Sequence, residues 1–237
     1  MNISKGIKFA HSRFSIFINP WYIYRRELFI QIEHLTTYWT DKKVLDVGCG
    51  SKPYDLLFRE AVCYVGVDVE VSGHDHRSSE IDHFYDGEHL PFEDATFDVI
   101  VLFEVIEHVK DIDLLLQEIY RVLSPGGMLI CSSPFLWELH EKPFDFRRLT
   151  VFGLRELMVR HKFTPRIETR HVSFFPSIFQ MLNNRLVLLI GSSILLKLFF
   201  LPLIIITNLL GIFCSILFPI AKDFYLFNIT VCSKNKD

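Results

Sequence analysis

The stretch VLDVGCGSKPYDLLF, Val44 to Phe58, begins as a glycine-rich strand-to-helix turn and then breaks the dinucleotide rule. A G-x-G-x-x-G fingerprint would follow Gly48 and Gly50 with a third glycine, and this chain places Pro53 there. A pyrophosphate needs backbone N–H donors converging at a helix start. Pro53 removes one donor, and the carboxylate of Asp46, two residues before Gly48, repels phosphate. The same carboxylate suits a ligand with a positive ammonium or sulfonium group, directly or through water. Gly48 and Gly50 still permit close backbone approach, and Pro53 is comfortable in a first helical turn.

The next apolar run ends in YVGVD, and Asp68 stands twenty residues after Gly48. A carboxylate there can accept hydrogen bonds from both hydroxyls of a ribose. Loop and carboxylate together ask for a nucleoside with a cationic tail, and S-adenosyl-L-methionine is such a molecule. A bare strand-to-helix turn is the competing explanation of the loop, and it weakens once Asp68 is added.

Around this stretch, apolar strands alternate with helices. KVLDVG, CYVGVDV, FDVIVLFE and GMLICSS read as strands, and PYDLLFREA, DIDLLLQEIYRVL and TVFGLRELMVRH read as helices. Continuous apolar strands separated by helices predict a parallel sheet covered on both faces. TPRIETRHVSFF and FYLFNITVCS read as two further strands with a long apolar stretch between them. Before the sheet, Pro20 can open a capping helix through WYIYRRELFIQIEHLTTYW.

Four segments in order, VLDVGCGSKPY, YVGVDVE, YDGEHLPFEDATFDVIVLFEVIEHV and EIYRVLSPGGMLICSSPF, resemble the class I S-adenosylmethionine-dependent methyltransferases, particularly the type 11 group. The resemblance covers roughly Lys43 to Ser173. It implies a doubly wound, mostly parallel seven-stranded α/β sheet, the Rossmann-like methyltransferase fold, with S-adenosyl-L-methionine as cofactor. It also implies that Asp46, Gly48 and Gly50 surround the methionine part of the cofactor and that Asp68 holds the ribose. Asp86, with Gly87 supplying backbone, matches the position that reaches the adenine amino group; a simple D-G turn is the alternative. Glu104 ends the fourth strand at the mouth of the cleft and is assigned to the cofactor's methionine end or to the acceptor. A non-catalytic nucleoside-binding or anchoring module on the same fold is the other reading of the chain.

Methyl transfer to a hydroxyl or phenol needs alignment, exclusion of water and removal of a proton. His108, one turn beyond the fourth strand, is one candidate base. The segment FLWELHEKPFDFRRLT resembles an HE-x-P-x-D-x-x-R-x-T stretch of some of these methyltransferases, which sets His140, Glu141, Asp145 and Arg148 over the acceptor side. His140 is the second candidate base, with Asp145 orienting it or pairing with Arg147 or Arg148. A structural clamp before the next helix, capped by Thr150, is an equal and compatible reading. The histidines and carboxylates of SGHDHRSSEIDHFYDGEH (His74, Asp75, His76, Asp82, His83, His89) lack the spacing of a metal motif. A solvated loop is expected there, and no metal site is expected.

At 237 residues the chain can bury one principal core. A net charge of −3 gives no motive for nucleic-acid binding. Cys49, Cys63, Cys131, Cys214 and Cys232 are odd in number and free of C-x-x-C pairs, which suits a reducing, cytoplasmic setting. Half of the residues are hydrophobic and 23 are Phe. The N-terminal run breaks at His11, Ser12 and Arg13, leaving no signal-peptide core. The apolar excess lies in Leu186 to Ile220 instead. Lys197, Pro202, Asn208 and Pro219 interrupt it, leaving two arms of about 16 to 18 residues that each reach about 25 Å as helix, short of a hydrocarbon core of about 30 Å.

If the flanking strands share one sheet, this insertion leaves and returns on one face, which predicts an interfacial or re-entrant hairpin kinked at Pro202. Lys8, Arg13, Phe14, Phe17, Trp21, Arg25 and Arg26 could lie at the same interface. A homodimer arm or a cap on the acceptor cleft is the alternative. The expected organisation is a cap at 1–40, a methyltransferase core at 41–177, a hydrophobic hairpin at 178–222 and a last strand with tail at 223–237. The expected partners are a small-molecule, glycan or lipid-linked acceptor and the cytoplasmic face of a membrane, met peripherally or monotopically.

Overall fold

Strand β1 (Lys43–Val47) sits in the middle of a seven-stranded sheet, and its flanks decide where a ligand can enter. The computed structural model describes residues 13–71, 80–220 and 223–236. Lys8, His74, Asp75 and His76 lie outside the described residues, as does the side chain of Arg13. The other strands are β2 (Cys63–Val69), β3 (His83–Tyr85), β4 (Phe97–Phe103), β5 (Leu123–Pro134), β6 (Phe163–His171) and β7 (Phe227–Lys234). Their order is β3-β2-β1-β4-β5-β7-β6. The pairs β1–β2, β1–β4, β2–β3 and β4–β5 are parallel, and β7 runs antiparallel to β5. This is the Rossmann-like methyltransferase sheet. The chain builds outward from β1 to β3 and then returns to place β4 on the other side of β1. That reversal opens a crevice at the carboxyl ends of β1 and β4.

Residue type explains why these strands are central. β4 is FDVIVLF, and all but Asp98 of its side chains are buried, the signature of a strand covered on both faces. Leu45, Ile100 and Leu102 join Leu116 and Ile119 of helix α2 (Ile112–Val122) in the main core. Asp111 caps α2 by accepting the Leu114 N–H at 3.0 Å, and Thr150 caps α3 (Val151–Arg160) by accepting the Gly153 N–H at 3.0 Å.

The helix expected over PYDLLFREA is replaced by a single 3-10 turn, Asp55–Phe58. Two features oppose a longer helix. Lys52 takes a left-handed φ of +49° just before Pro53, and the Phe58 ring stacks on Tyr64 of β2 with centroids 4.2 Å apart.

The chain divides into two compact units, and the sheet just described belongs to the one made of residues 34–135, 139–169 and 227–237. The other contains residues 1–33, 136–138 and 170–226. Its main elements are α1 (Tyr22–His34) and two apolar helices, α4 (Phe174–Ile190) and α5 (Ile194–Leu217), which stand before the last strand. Strand β6 stops at His171, so the Ser173-Phe174-Phe175 end of the expected strand instead opens α4.

The hairpin turns at Gly191, not at Pro202. Gly191 has a φ of +54°, open to glycine at little cost, and Ser193 caps α5. Pro202 lies inside α5.

The two helices meet through polar side chains. Asn183 donates to Asn208 Oδ1 at 2.9 Å, and Thr207 donates to Asn183 Oδ1. Asn208 donates to the carbonyls of Ile16 and Asn19 at 2.8 and 3.0 Å, and Gln180 donates to that of Pro20 at 3.0 Å. All these side chains are buried. The outward faces carry Leu188, Leu195, Phe199, Phe213 and Ile216, each more than half exposed. Between the helices these polar groups stand beside a small apolar cluster of Leu186, Ile190 and Ile204 with Phe200, and the outward faces are apolar.

Candidate active site

A cleft of about 850 Å³ opens at the β1–β4 crevice. Of the residues singled out from sequence, Gly48, Asp68, Asp86, Gly87, Glu104, His108 and Glu141 line it. Asp46, Gly50, His140 and Asp145 stand behind or beside this wall rather than in it.

The glycine loop is shaped by steric need and by one carboxylate. Gly48 has φ +74°, and a Cβ there would lie 2.5 Å from Val105, so no side chain fits. Gly50, at φ +50°, donates its N–H to Asp68 Oδ2 at 2.8 Å, while Asp68 Oδ1 accepts the Val69 N–H at 2.8 Å. Each oxygen retains a lone pair for a further donor. Asp46 is buried beneath the loop and accepts the Tyr64 hydroxyl. Burial pushes its carboxyl up to about 7, against the opposing pull of Tyr64 and Lys52. Lys52 is anchored by Asp82, which also accepts the Gly66 N–H at 2.7 Å. That pairing draws Asp82 out of the histidine-rich stretch, and His83 lies edge-on to Phe92. Asp86 is exposed and turns the chain by accepting the N–H groups of Glu88 and His89 at 2.8 and 2.7 Å.

At the end of β4 the backbone is strained: Glu104 has φ +60°. Ser132 of β5 holds it from both sides, accepting the Glu104 N–H at 3.1 Å and donating to Glu104 Oε1 at 2.6 Å. The 3-10 turn Ile106–His108 follows. His108 Nδ1 is 2.7 Å from the Phe144 carbonyl, so that nitrogen carries the proton. His108 Nε2 faces His140 Nε2 at 3.1 Å. His140 Nδ1 lies 3.3 Å from Asp145 Oδ2 and 3.4 Å from Arg148 Nη2. Arg148 grips Asp145 with both terminal nitrogens. Burial favours the neutral acid at Asp145, yet Arg148 and the His140 N–H hold its carboxyl below the usual range. The bond between Asp145 and the His140 N–H measures 3.0 Å.

The sequence brought His108, His140, Asp145 and Arg148 to one neighbourhood, and they meet. It missed Glu107, whose side chain is fully buried with no hydrogen-bond partner among the described residues at either carboxylate oxygen. Burial and the charge of Glu104 push the Glu107 carboxyl well above the usual range. It also missed the work of Arg147, which does not pair with Asp145 but donates to the carbonyls of Ile106, Val109 and Lys110. An arginine in a loop rich in charged residues carried no signal for that clamp.

The sequence between the first and fifth strands has a known kind. Residues 45–131 match the methyltransferase domain family. That match supports a class I S-adenosylmethionine-dependent methyltransferase of type 11. It is 33% identical over 131 residues to a demethylmenaquinone methyltransferase of Staphylococcus haemolyticus, covering 47% of this chain and 53% of that one. A malonyl-[acyl-carrier protein] O-methyltransferase of Erwinia billingiae is 34% identical over 117 residues, covering 46% of this chain and 47% of that one. The chain thus spans about half the length of these relatives. Among solved structures, an S-adenosylmethionine-dependent methyltransferase of Thermotoga maritima superposes with a TM-score of 0.56 at 16% identity, covering 91% of this chain and 93% of that one. The matched region contains the glycine loop, Asp68, Asp86 and Glu104. It ends before His140 and before the apolar helix pair.

Proposed function

We propose that this methyltransferase binds S-adenosyl-L-methionine in the β1–β4 crevice and methylates an oxygen nucleophile on an amphipathic or lipid-linked acceptor at the cytoplasmic face of a membrane. The observation that carries the reading is the cleft, in which a loop closed to side chains at Gly48 faces carboxylates at the tips of two neighbouring strands. Its volume is within the range of small-molecule sites. Asp68 accepts the ribose hydroxyls, Asp86 and Gly87 receive the adenine, and Glu104 faces the methionine end. Asp46, one layer deeper, stabilises the cationic end through the loop it supports.

When bound, S-adenosyl-L-methionine supplies a methyl carbon that leaves a sulfonium, which becomes a neutral thioether as the acceptor oxygen bonds to that carbon. The chain's own task is to position the acceptor and take its proton. His108 lines the cleft and His140 backs it, with Asp145 and Arg148 holding the second ring, so the acceptor proton passes to this pair. The relatives named above are a demethylmenaquinone methyltransferase and a malonyl-[acyl-carrier protein] O-methyltransferase, and a quinone-like or carrier-linked acceptor accords with this reading.

The membrane part rests on the helix pair. Helix α5 has 24 residues, about 36 Å of helix, with mean hydropathy 2.4 in its most apolar window and 22% of that window buried. Apolar side chains outside and amides between the helices suit a hydrocarbon surround better than water. The pair α4–α5 joins two strands of one sheet, β6 and β7, and a re-entrant or interfacial hairpin accords with that connection better than a single crossing.

Calorimetric titration with S-adenosyl-L-methionine and its demethylated product tests the cofactor assignment, and both are expected to bind. Absence of binding would leave only the non-catalytic module. Incubation of the protein with methyl-labelled cofactor and a membrane lipid extract tests the acceptor class; label in the organic phase is expected.

A further inference from the structure

We infer that Glu107, His108 and His140 form a binding site for one divalent transition-metal ion of the zinc class, with its open coordination position facing the cleft. The site goes beyond the methyl-transfer reading and rests on it only for the use made of the ion.

Three ligand atoms, one from each residue, lie within 4.8 Å of one another. The two Nε2 atoms are 3.1 Å apart, and Glu107 Oε1 is 3.7 Å from His108 Nε2. In a tetrahedral site with metal–nitrogen distances of about 2.0–2.1 Å, two imidazole ligands stand about 3.3 Å apart. The histidine pair is already near that spacing.

The hydrogen-bond partners agree. His108 donates Nδ1–H to the Phe144 carbonyl, which leaves Nε2 as its lone-pair atom. His140 Nδ1 stands between Asp145 Oδ2 and Arg148 Nη2; were its proton turned to Asp145, its Nε2 lone pair would face the same point. Ligating histidines are commonly held in this way, through a carbonyl or carboxylate on the other nitrogen. In the metal-free protein a proton on His140 Nε2, donated to His108, fills the gap.

Glu107 is the independent observation. A wholly buried carboxylate with neither oxygen hydrogen-bonded among the described residues is costly, and such groups in native proteins call for a bound ion or water. Neutral imidazoles would give an ionised Glu107 no balancing charge. A dication would, and three protein ligands with one open position is the arrangement of a catalytic rather than a structural site.

Glu141 supplies the remaining element. Its carboxylate lines the cleft, with Oε1 3.6 Å from His108 Nε2. With an ion held there, an acceptor hydroxyl at the open position would become more acidic, and Glu141 would take its proton as the oxygen bonds to the methyl carbon. In the metal-loaded state the imidazoles would hold the ion, and Glu141 would replace them as the base assigned above.

The test is direct titration of the full chain, freed of metal by a chelator, with Zn²⁺ by calorimetry and with Co²⁺ by visible absorption, without cofactor or acceptor. One ion per chain with a tetrahedral-type Co²⁺ spectrum is expected. Glu107→Gln and, separately, His140→Ala should each weaken binding by at least about a hundredfold; His140 lies partly exposed, so its truncation spares the core. Circular dichroism confirms that each variant is folded. His83→Ala, outside the cluster, should bind as the wild type does. No stoichiometric binding by the wild type, or wild-type binding by folded His140→Ala, would overturn the site. Cofactor titration of the same samples reads the methyltransferase assignment separately, so either can fail while the other stands.

Discussion

Asp68 Oδ2 accepts the Gly50 N–H at 2.8 Å, so the carboxylate at the tip of β2 also fixes the glycine loop that follows β1. One residue thereby both shapes the cofactor cradle and faces the ribose. Asp68→Ala should weaken S-adenosyl-L-methionine by roughly 1.5–3 kcal/mol for the lost charged acceptor, about tenfold to about 150-fold. Asp68→Asn keeps an acceptor for Gly50 and should lose less. Calorimetric titration of the three proteins checks the order; equal affinity of wild type and Asp68→Ala would remove Asp68 from the site.

Asp46 makes stability pH-dependent in a direction opposite to most carboxylates. Its folded carboxyl, raised to about 7 by burial, lies above an unfolded value of about 3.9. The folded state therefore holds the proton more tightly. This contribution is fully present below the unfolded value and is lost as pH rises from about 4 through 7, with a slope of up to about 1.4 kcal/mol per pH unit. Asp46→Asn keeps an acceptor for the Tyr64 hydroxyl and removes the titration. The stability difference, wild type minus variant, should fall across that window in denaturant titrations. A flat difference would mean that Asp46 is ionised throughout.

Separating proton removal from cofactor binding needs the histidines. His108→Ala and His140→Ala should each lower turnover on an oxygen acceptor by on the order of 10²–10⁴ while cofactor affinity stays within about twofold. The double variant should be little worse than the poorer single, because the rings act as a unit. Full turnover in all three would leave neither ring in the reaction.

Arg147 works on the backbone rather than on the acceptor. Its guanidinium binds the carbonyls of Ile106, Val109 and Lys110, which brace the turn carrying Glu107 and His108. Arg147→Ala should cost about 1.5–3 kcal/mol and lower Tm by about 3–12 °C for a chain of this size. Arg147→Lys should recover little, since one ammonium cannot span three carbonyls. A thermal melt unchanged in Arg147→Ala would show that the turn holds without the clamp.

The sheet was legible because its signals are local and periodic: β4 is apolar at almost every position, and Gly48, Gly50 and Asp68 sit at spacings that backbone geometry demands. The 3-10 turn at Asp55–Phe58 was not, because what shortens it is a tertiary contact, Phe58 on Tyr64, invisible in the residues of the segment itself. The bend at Gly191 was misplaced for a related reason. Pro202 is the stronger helix breaker in isolation, but a left-handed glycine beside a capping serine makes the sharper turn. At the site, the residues with obvious chemistry, His108 and His140, could be named. Glu107 could not, since a carboxylate reads as solvated until burial on every side is seen.

The last prediction concerns the outer face of the helix pair. Leu195, Phe199 and Ile216 are each at least 72% exposed, whereas Asn183, Thr207 and Asn208 are buried between the helices. Replacing the three apolar residues with Gln should leave the inner hydrogen bonds and the thermal melt nearly unchanged, because surface changes cost little stability. The same replacement should abolish flotation with liposomes and leave cofactor affinity intact. Asn208→Leu should act oppositely: it strips donors from the Ile16 and Asn19 carbonyls and a partner from Asn183, so the melt should fall while any folded protein still floats. If the triple variant floats as well as wild type, lipid does not cover this face. If wild type fails to float and sediments as a dimer that the triple variant dissolves, the face is an interface between copies of the chain, and the membrane assignment fails.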